Sequence, residues 1–329
     1  MVAAIYTDHR VFKSVCNCGK INCGNFPEQV KASIQYGPII ESMIAYMSSR
    51  QYMPYARIAE YFNQIHQLPI SEGTIDNCLN RFYEKATSAY ETIKSKIFNS
   101  LAVGADETGC KINGEKYWIW VWQTTQYNYI TVSETRGKQA IDDSFPLGLP
   151  NSILTSDAWA AQLATKAKSH QLCMAHLMRD LKYFSETLKD EWSSKIKKVF
   201  EEALNLKKRM LSTDYDTENE AIQNIENSTN QLLEEGYILS KEVKAFKKRL
   251  IKNRDYLFEF LKYEHVAADN NSSEKAIRNV KVKQKISNQF KTLKGAQIFV
   301  VIRSIIDTAI KNNLHTFDTL FYIANFKVK

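Results

Sequence analysis

Residues 102–122, AVGADETGCKINGEKYWIWVW, contain the pattern that decides the fold. The pair Asn113-Gly114 within 111–115 predicts a hairpin turn, because both residues tolerate the positive φ angles that tight turns need. The run 117–122 that follows is rich in aromatic and β-branched residues, and so is 129–132. Such runs are typical of β-strands, so this part of the chain is predicted to form strands joined by a hairpin.

A further short apolar run, 152–155, is predicted to be a strand that ends just before Asp157. A helical pattern follows over 160–168, and a mixed element extends over 172–184. The same interpretation puts Asp106 at a strand end. Strands that alternate with helices predict an α/β protein with a mixed core, whose acidic residues lie where strands end.

Helical periodicity is the main feature of residues 27–97, which are interpreted as a small helical domain. Within it, 54–83 is consistent with either a DNA-binding helix-turn-helix or a plain helical bundle. The last helix of this stretch is expected to begin at Ser71 or Thr74, either of which can cap it, and to extend to about residue 83.

Residues 98–329 are interpreted as one larger domain that contains an insertion. The inserted block, about 186–263, is charged, helical in its pattern and without strand signals. Trp192, Ile196 and Phe200 share one face of its first helix.

Length and composition narrow the class of protein. A chain of 329 residues predicts one large domain with appendages, or two to three modules. The formal net charge of +8 favours an anionic partner. No run approaches the ~20 apolar residues of a membrane span. The start has no secretion-signal pattern and the six cysteines do not resemble a disulfide framework, so a cytoplasmic protein is expected.

Three acidic residues lie far apart in the chain: Asp106, Asp157 and Glu274. Mg²⁺ and Mn²⁺ prefer carboxylate ligands, and a two-metal phosphoryl-transfer site needs several of them close together. Each residue also has a simpler interpretation: a turn residue for Asp106, a helix N-cap for Asp157, and half of an i,i+4 ion pair on a solvated basic helix for Glu274. Composition and spacing leave these alternatives open.

Basic residues follow Glu274 on the same predicted helix. Arg278, Lys281 and Lys285 fall on the stripe that contains Glu274, and Lys283 lies in the same run. Cations that hold phosphates beside a metal-binding carboxylate suit a polyanionic substrate. These four cations are therefore predicted to contact DNA.

Other polar residues are secondary candidates. His176 and Arg179 lie one helical turn apart and are predicted to face the phosphate, although a buried histidine with its hydrogen bonds satisfied is an alternative for His176. Arg136 is a further candidate for a phosphate contact. Residues 269–271, Asp-Asn-Asn, are expected to cap the helix that contains Glu274, and the alternative for Asn271 is that it orients a metal ion or phosphate.

Residues 1–26 are interpreted as a partial Cys knuckle. Cys16, Cys18 and Cys23, with His9, supply four potential zinc ligands. The Cys-x-Cys spacing is tight and His9 is distant, so Zn²⁺ is a secondary hypothesis here.

Several long strings resemble the insertion sequence 66 family of bacterial transposases, in that family's order. They are ADETGCKINGEKYWIWV, HQLCMAHLMRDL, DNNSSEKAIRNVKVKQKISNQF and GAQIFVVIRSIIDTAIKNN, with FPEQVKASIQYGP and ISEGTI nearer the start. The resemblance covers nearly the whole chain. It implies a transposase with a ribonuclease-H-like catalytic core, in which Asp106, Asp157 and Glu274 form a DDE triad that holds two Mg²⁺ or Mn²⁺ ions.

The resemblance also implies partners: the terminal repeats of an insertion element, target DNA, a homo-oligomer on paired ends, and accessory transposition proteins. Such a protein is expected at the nucleoid when bound to DNA. Family members carry an earlier Cys pair, so the chain is expected to be N-terminally shortened. This leaves a second function open, a catalytically inactive remnant that binds element ends or inhibits an intact transposase.

Overall fold

The computed structural model describes residues 5–28, 30, 32–213, 215–217 and 220–326. The strands are β1 (Lys13–Val15), β2 (Ile21–Cys23), β3 (Ala102–Ile112), β4 (Glu115–Gln123), β5 (Asn128–Ser133), β6 (Leu149–Ser156) and β7 (Ala167–Leu172). The helices are α1 (Pro38–Ser49), α2 (Tyr55–His66), α3 (Glu72–Phe98), α4 (Lys138–Ser144), α5 (Ala160–Leu163), α6 (Met174–Glu186), α7 (Glu191–Leu211), α8 (Glu220–Glu234), α9 (Lys241–Lys252), α10 (Glu259–Lys262), α11 (Asn271–Ser287), α12 (Leu293–Lys311) and α13 (Thr316–Ala324), with a 3₁₀ turn at Arg254–Tyr256. Each described helix is too short or too polar to cross a membrane.

The chain divides into two compact units, one that runs through Thr87 and resumes at Leu314, and one that spans Ser88–Asn313. In the first unit, the buried carboxylate of Glu41 on α1 accepts hydrogen bonds from Arg81 (2.8 Å) and Lys85 (2.7 Å) on α3. Lys85 also donates to the backbone oxygen of Ala324 on α13 (2.7 Å). Paired cations are what make a buried carboxylate tolerable, and here they join three helices.

The long helix α3 begins where the sequence predicted and ends later. Ser71 is its cap, because the hydroxyl of Ser71 accepts from the backbone N–H of Thr74 (3.1 Å). The helix continues to Phe98, well past residue 83, since buried apolar residues recur at helical spacing from Ile75 to Ile97 and no proline interrupts them.

A five-stranded mixed sheet forms the centre of the second unit, in the order β5-β4-β3-β6-β7. The first three strands are antiparallel neighbours, and β6 and β7 are added in parallel. Asn113 and Gly114 adopt φ angles of 49° and 84° in the turn between β3 and β4, which confirms the predicted hairpin. The predicted mixed α/β core is also confirmed.

The edge strand β5 is covered by α12, whose polar side chains satisfy backbone groups that an edge strand would otherwise expose. The backbone N–H of Ile130 donates to the hydroxyl of Ser304 (2.9 Å), and that of Asn128 donates to Thr308 (3.1 Å). The Asn128 amide also donates to Asp307 (2.9 Å). Side chains of an amphipathic helix thus complete this side of the sheet.

One strand was missed by sequence reasoning. Residues 160–168 were expected to be helical, but α5 is four residues long and β7 follows it as the parallel partner of β6. The side chain of Gln171 is buried, accepts from the backbone N–H of Phe260 (2.9 Å) and donates to the backbone oxygen of Leu257 (3.0 Å). Pairing and burial supplied by distant residues override a local helical pattern here.

The stretch between α6 and α11 is helical throughout its described elements, as its pattern predicted. Within it, Lys207 on α7 is 6% exposed, and burial lowers the pKa of its ammonium group to about 8. Its acceptors are the backbone oxygens of Phe260, Tyr263 and Glu264 and the hydroxyl of Tyr215, at 2.7, 2.9, 3.0 and 2.8 Å. These bonds fix the chain shortly before α11 begins.

The start of α11 lies directly against β3 at Gly104. A Cβ atom added to Gly104 would stand 2.5 Å from Asn270 Oδ1, 2.5 Å from Gln123 Nε2 and 2.9 Å from Ser273 Oγ. Any side chain at this position would therefore displace the helix start or its neighbours.

We expect Gly104→Ala to lower the free energy of unfolding by about 1–3 kcal/mol, because the added methyl group has no room. Gly109→Ala is the matched control on the same strand, since its nearest neighbour would be Trp118 at 3.9 Å. Denaturant unfolding of both variants measures the difference. Equal stability of the two would show that the close approach at Gly104 does not constrain the fold.

Candidate active site

The parallel pairing of β3 and β6 brings Asp106 and Asp157 to the same level of the sheet. Ala102, Val103 and Gly104 face Ile153, Leu154 and Thr155, and the same register continued by two residues puts Asp106 beside Asp157. Asp157 directly follows β6, as predicted.

Asp106 lies within β3 and not at its end, so this prediction was wrong. The reason is that β3 continues to Ile112 as the partner of β4 after its pairing with β6 has stopped. The turn-residue interpretation of Asp106 is wrong for the same reason.

The backbone turns sharply after Asp157. Ala158 has a φ of 64°, a left-handed conformation that costs a residue with a Cβ about 1–3 kcal/mol. Trp159 occupies the N-cap position of α5, so the alternative that Asp157 caps this helix is wrong. The carboxylate of Asp157 instead faces His176, with 3.0 Å between Oδ1 and the ring Nδ1.

Glu274 joins this group from the first turn of α11. Its Oε1 lies 3.7 Å from Nε2 of His176, and its Oε2 lies 3.8 Å from a guanidinium nitrogen of Arg278. The Glu274 side chain is only 21% exposed, so an ion pair on a solvated helix is an incomplete description of it. His176 therefore lies between two of the three predicted carboxylates.

Asn270, one residue before α11, attaches the helix to the sheet. Its buried side-chain amide donates to the backbone oxygen of Ala105 (2.7 Å), and its Oδ1 accepts from Ser273 (2.6 Å). Asn270 occupies the N-cap position of α11, within the segment expected to cap it, but its side chain makes no capping bond. Asp269 accepts from the N–H of Asn271 (3.0 Å). The bond from the Asn270 amide to Ala105 holds the start of α11, and with it Glu274, next to β3, the strand that contains Asp106.

The electrostatics of the group are those of crowded carboxylates. The pKa of Asp106 is raised to about 7, first by burial and then by the nearby charge of Asp157, with smaller contributions from Glu107 and Glu274. The N–H of Glu107, which donates to Asp106 (2.8 Å), opposes the shift. The pKa of His176 is raised to about 10, mainly by its contact with Asp157. A cation bound among these groups would relieve their repulsion.

The donor set fits hard divalent cations. Asp106, Asp157 and Glu274 offer oxygen ligands, which Mg²⁺ and Mn²⁺ prefer. Oε1 of Glu274 is buried and accepts no hydrogen bond from the described part of the chain. A buried carboxylate oxygen without a donor needs a partner, and a metal ion would provide one.

Glu107, which sequence reasoning missed, anchors a network beside Asp106. Its buried carboxylate accepts from Arg136 (2.7 Å) and from the Gln162 amide (2.7 Å). The guanidinium carbon of Arg136 lies 4.1 Å from the ring centre of Trp159 and 5.1 Å from that of Trp118. This network ties the segment after Asp157 to β3. The sequence signal for Glu107 is its position directly after Asp106, as a second acid in a largely apolar strand.

The residues that were predicted to contact DNA differ in their solvent exposure. Arg278 is 77% and Arg179 is 65% exposed, and both lie within 4 Å of a Glu274 oxygen. Lys281 and Lys285 are exposed, and Lys281 donates to the backbone oxygen of Gly109 (3.2 Å). The remaining three residues are less accessible. Lys283 is half-buried, and burial lowers its pKa. Arg136 is paired with Glu107, and His176 lies between two carboxylates.

The cysteines that could bind a metal lie in two places. Cys16, Cys18 and Cys23 are exposed on or beside the β1–β2 hairpin, and zinc binding there stays a prediction. Among the described residues, a different trio has its possible ligand atoms within 4.8 Å of one another: Asp157, Cys173 and His176.

Comparison with family models then identifies the chain. The model described as Transposase IS66 family matches residues 33–298 of the 329. The chain belongs to this family of transposases. A search of curated proteins found no significant match. Family membership implies transposition as the function, DNA as the partner, and an enzyme that cleaves and transfers DNA strands.

We expect Asn270→Ala to destabilise the protein by about 1–3 kcal/mol, because it leaves the buried oxygen of Ala105 without its donor. The neighbouring Asn271→Ala is the control, since the side chain of Asn271 is exposed and its effect should stay within about 0.5 kcal/mol. Thermal and denaturant unfolding measure both. If the two substitutions have the same effect, the Asn270 bond does not hold α11 to β3.

Proposed function

We propose that this transposase cuts and joins DNA strands at the ends of an insertion element through a DDE triad of Asp106, Asp157 and Glu274 that holds two Mg²⁺ or Mn²⁺ ions. The observation that carries the proposal is the convergence of carboxylates from three separate elements: Asp106 on β3, Asp157 directly after β6, and Glu274 in the first turn of α11. Burial first, and then the charge of Asp157, raise the pKa of Asp106 to about 7. Carboxylates that repel in the free protein are typical of sites whose charge a metal balances.

The sheet supports a ribonuclease-H-like core for this activity. An antiparallel hairpin meander leads into two parallel strands, and the central strand β3 contains Asp106. Asp157 follows the neighbouring parallel strand, and Glu274 lies in the first turn of α11, which contacts β3. This is the arrangement that the family resemblance implies.

Two divalent ions, when bound, would polarise the scissile phosphate and activate water or a 3′-hydroxyl as the nucleophile. The chain's own residues hold the site in place. Asp106 lies on β3, Asp157 directly follows the neighbouring β6, and Asn270 fixes the start of α11. The Glu107–Arg136 pair fixes the segment that follows Asp157. Rigid placement of this kind is what metal-dependent phosphoryl transfer requires.

The cations of α11 and α6 offer a path for the DNA backbone. Arg278, Lys281 and Lys285 are exposed on the same helix as Glu274, and Arg179 is exposed beside it. Phosphates bound there would lie next to the carboxylates. Lys283 and Arg136 are less suited to this role, since one is half-buried and the other neutralises Glu107. The homo-oligomer and the accessory proteins remain predictions from the family.

We expect Asp106→Asn, Asp157→Asn and Glu274→Gln each to abolish nicking of plasmid DNA that carries the element's terminal repeats, in Mg²⁺ or Mn²⁺. Each change keeps the side-chain shape and removes a metal-binding charge. Glu115→Gln is the control, because Glu115 is an exposed acid at the far end of the β3–β4 hairpin. Binding of the repeats without any nicking by the unmodified protein would favour the inactive remnant. Nicking by all three variants would exclude the triad.

We expect Mg²⁺ to raise the melting temperature, and the rise to be larger at pH 8 than at pH 6. Below about pH 7 Asp106 is protonated, so a metal ion must displace a proton before it binds. Differential scanning fluorimetry with and without Mg²⁺ at the two pH values measures this effect. Asp106→Asn should lose the rise, and a rise of equal size at both pH values would contradict metal binding through Asp106.

A further inference from the structure

We propose that Asp157, Cys173 and His176 form a binding site for Zn²⁺, and that zinc bound there inhibits the transposase by taking Asp157 away from the catalytic Mg²⁺ ions. The possible ligand atoms of the three residues lie within 4.8 Å of one another. They offer oxygen, sulfur and nitrogen, a donor set that differs from the three carboxylates of the proposed catalytic site.

The backbone builds this trio from two adjacent elements. The N–H of Cys173 donates to the backbone oxygen of Ser156 (2.9 Å), which keeps Cys173 beside the residue that precedes Asp157. Cys173 occupies the N-cap position of α6, and His176 follows in the first turn of that helix. Nδ1 of His176 is already 3.0 Å from Oδ1 of Asp157.

These distances suit a zinc ion after small side-chain rotations. Zinc–ligand bonds of about 2.0–2.3 Å place the ligand atoms of a tetrahedral site roughly 3.5 Å apart. The backbone N–H of Asn270 donates to the sulfur of Cys173 (3.2 Å), and such outer hydrogen bonds orient metal ligands. Three protein ligands leave a fourth position for water.

The chemistry of the donors separates zinc from magnesium. Thiolate and imidazole bind Zn²⁺ well, whereas Mg²⁺ is held by oxygen ligands. On binding, the Cys173 thiol and the His176 imidazolium each release a proton to solvent, and the sulfur and the ring nitrogen each donate an electron pair to the metal. Asp157 cannot serve both ions in their proper geometry, so zinc is expected to compete with Mg²⁺. The zinc site stands without the proposed strand cleavage, but the inhibition rests on that proposed function.

Cobalt(II) is the probe for the site, since a thiolate ligand gives it an intense near-ultraviolet charge-transfer band. The full chain with Cys16, Cys18 and Cys23 changed to serine is the parent, which removes the N-terminal thiols from the signal. We expect the band in this parent and in its Cys110→Ser derivative, whose lost thiol is also buried. Cys173→Ser should remove the band and weaken zinc binding at least tenfold in competition with a chromophoric chelator.

A second variant, Asp157→Asn, tests the site even if the Cys173→Ser protein does not fold. Asp157→Asn keeps the thiol and removes one ligand charge, so it should keep the band but need at least tenfold more cobalt to reach it. A band that survives Cys173→Ser, or one that forms at the same cobalt concentration in Asp157→Asn and in the parent, would overturn the site.

The inhibition is measured separately, by plasmid nicking in Mg²⁺ with added Zn²⁺. We expect micromolar zinc to stop nicking by the parent, and a tenfold increase in Mg²⁺ to restore it. Nicking that continues while the cobalt spectrum shows an occupied site would refute the inhibition. A protein that does not nick in Mg²⁺ alone would refute the proposed function and the inhibition with it, while the spectrum would still decide the zinc site.

Discussion

The candidate site depends on one close contact, in which the start of α11 meets β3. Gly104 leaves the space, and the buried amide of Asn270 donates to the backbone oxygen of Ala105. Glu274 is distant in sequence from both aspartates, so only such a contact can bring it to them. Buried amide bonds of this kind are costly to break, because the carbonyl loses its donor without gaining water. The position of Glu274 is therefore set by the packing of the start of α11 against the β3 backbone beside Asp106.

The second constraint is electrostatic. A sheet that brings Asp106 and Asp157 to the same level, and a helix that adds Glu274, concentrate negative charge in a partly buried place. The cost appears in the raised pKa of Asp106, and His176 offsets part of it from between two of the acids. A metal ion bound among these acids would balance their negative charge, and membership of a transposase family agrees with that interpretation.

Local pattern predicted the parts of the fold that local chemistry determines. The Asn113-Gly114 turn, the Ser71 cap and the helical character of the block before α11 follow from turn preference, capping and periodicity. Strand β7 was missed because its pairing with β6 and the bonds of Gln171 come from elsewhere in the chain. For the site, the three acids were identifiable, but the role of Asn270 was not, since an asparagine before a helix usually caps it.

The most direct test of the central claim is to locate bound metal in crystals of the full chain soaked in Mn²⁺, by anomalous scattering. We predict two manganese peaks roughly 3.5–4 Å apart, the usual spacing of a two-metal site. Oxygens of Asp106, Asp157 and Glu274 should be their protein ligands. Manganese bound elsewhere, or at this place without Asp106 as a ligand, would contradict the account.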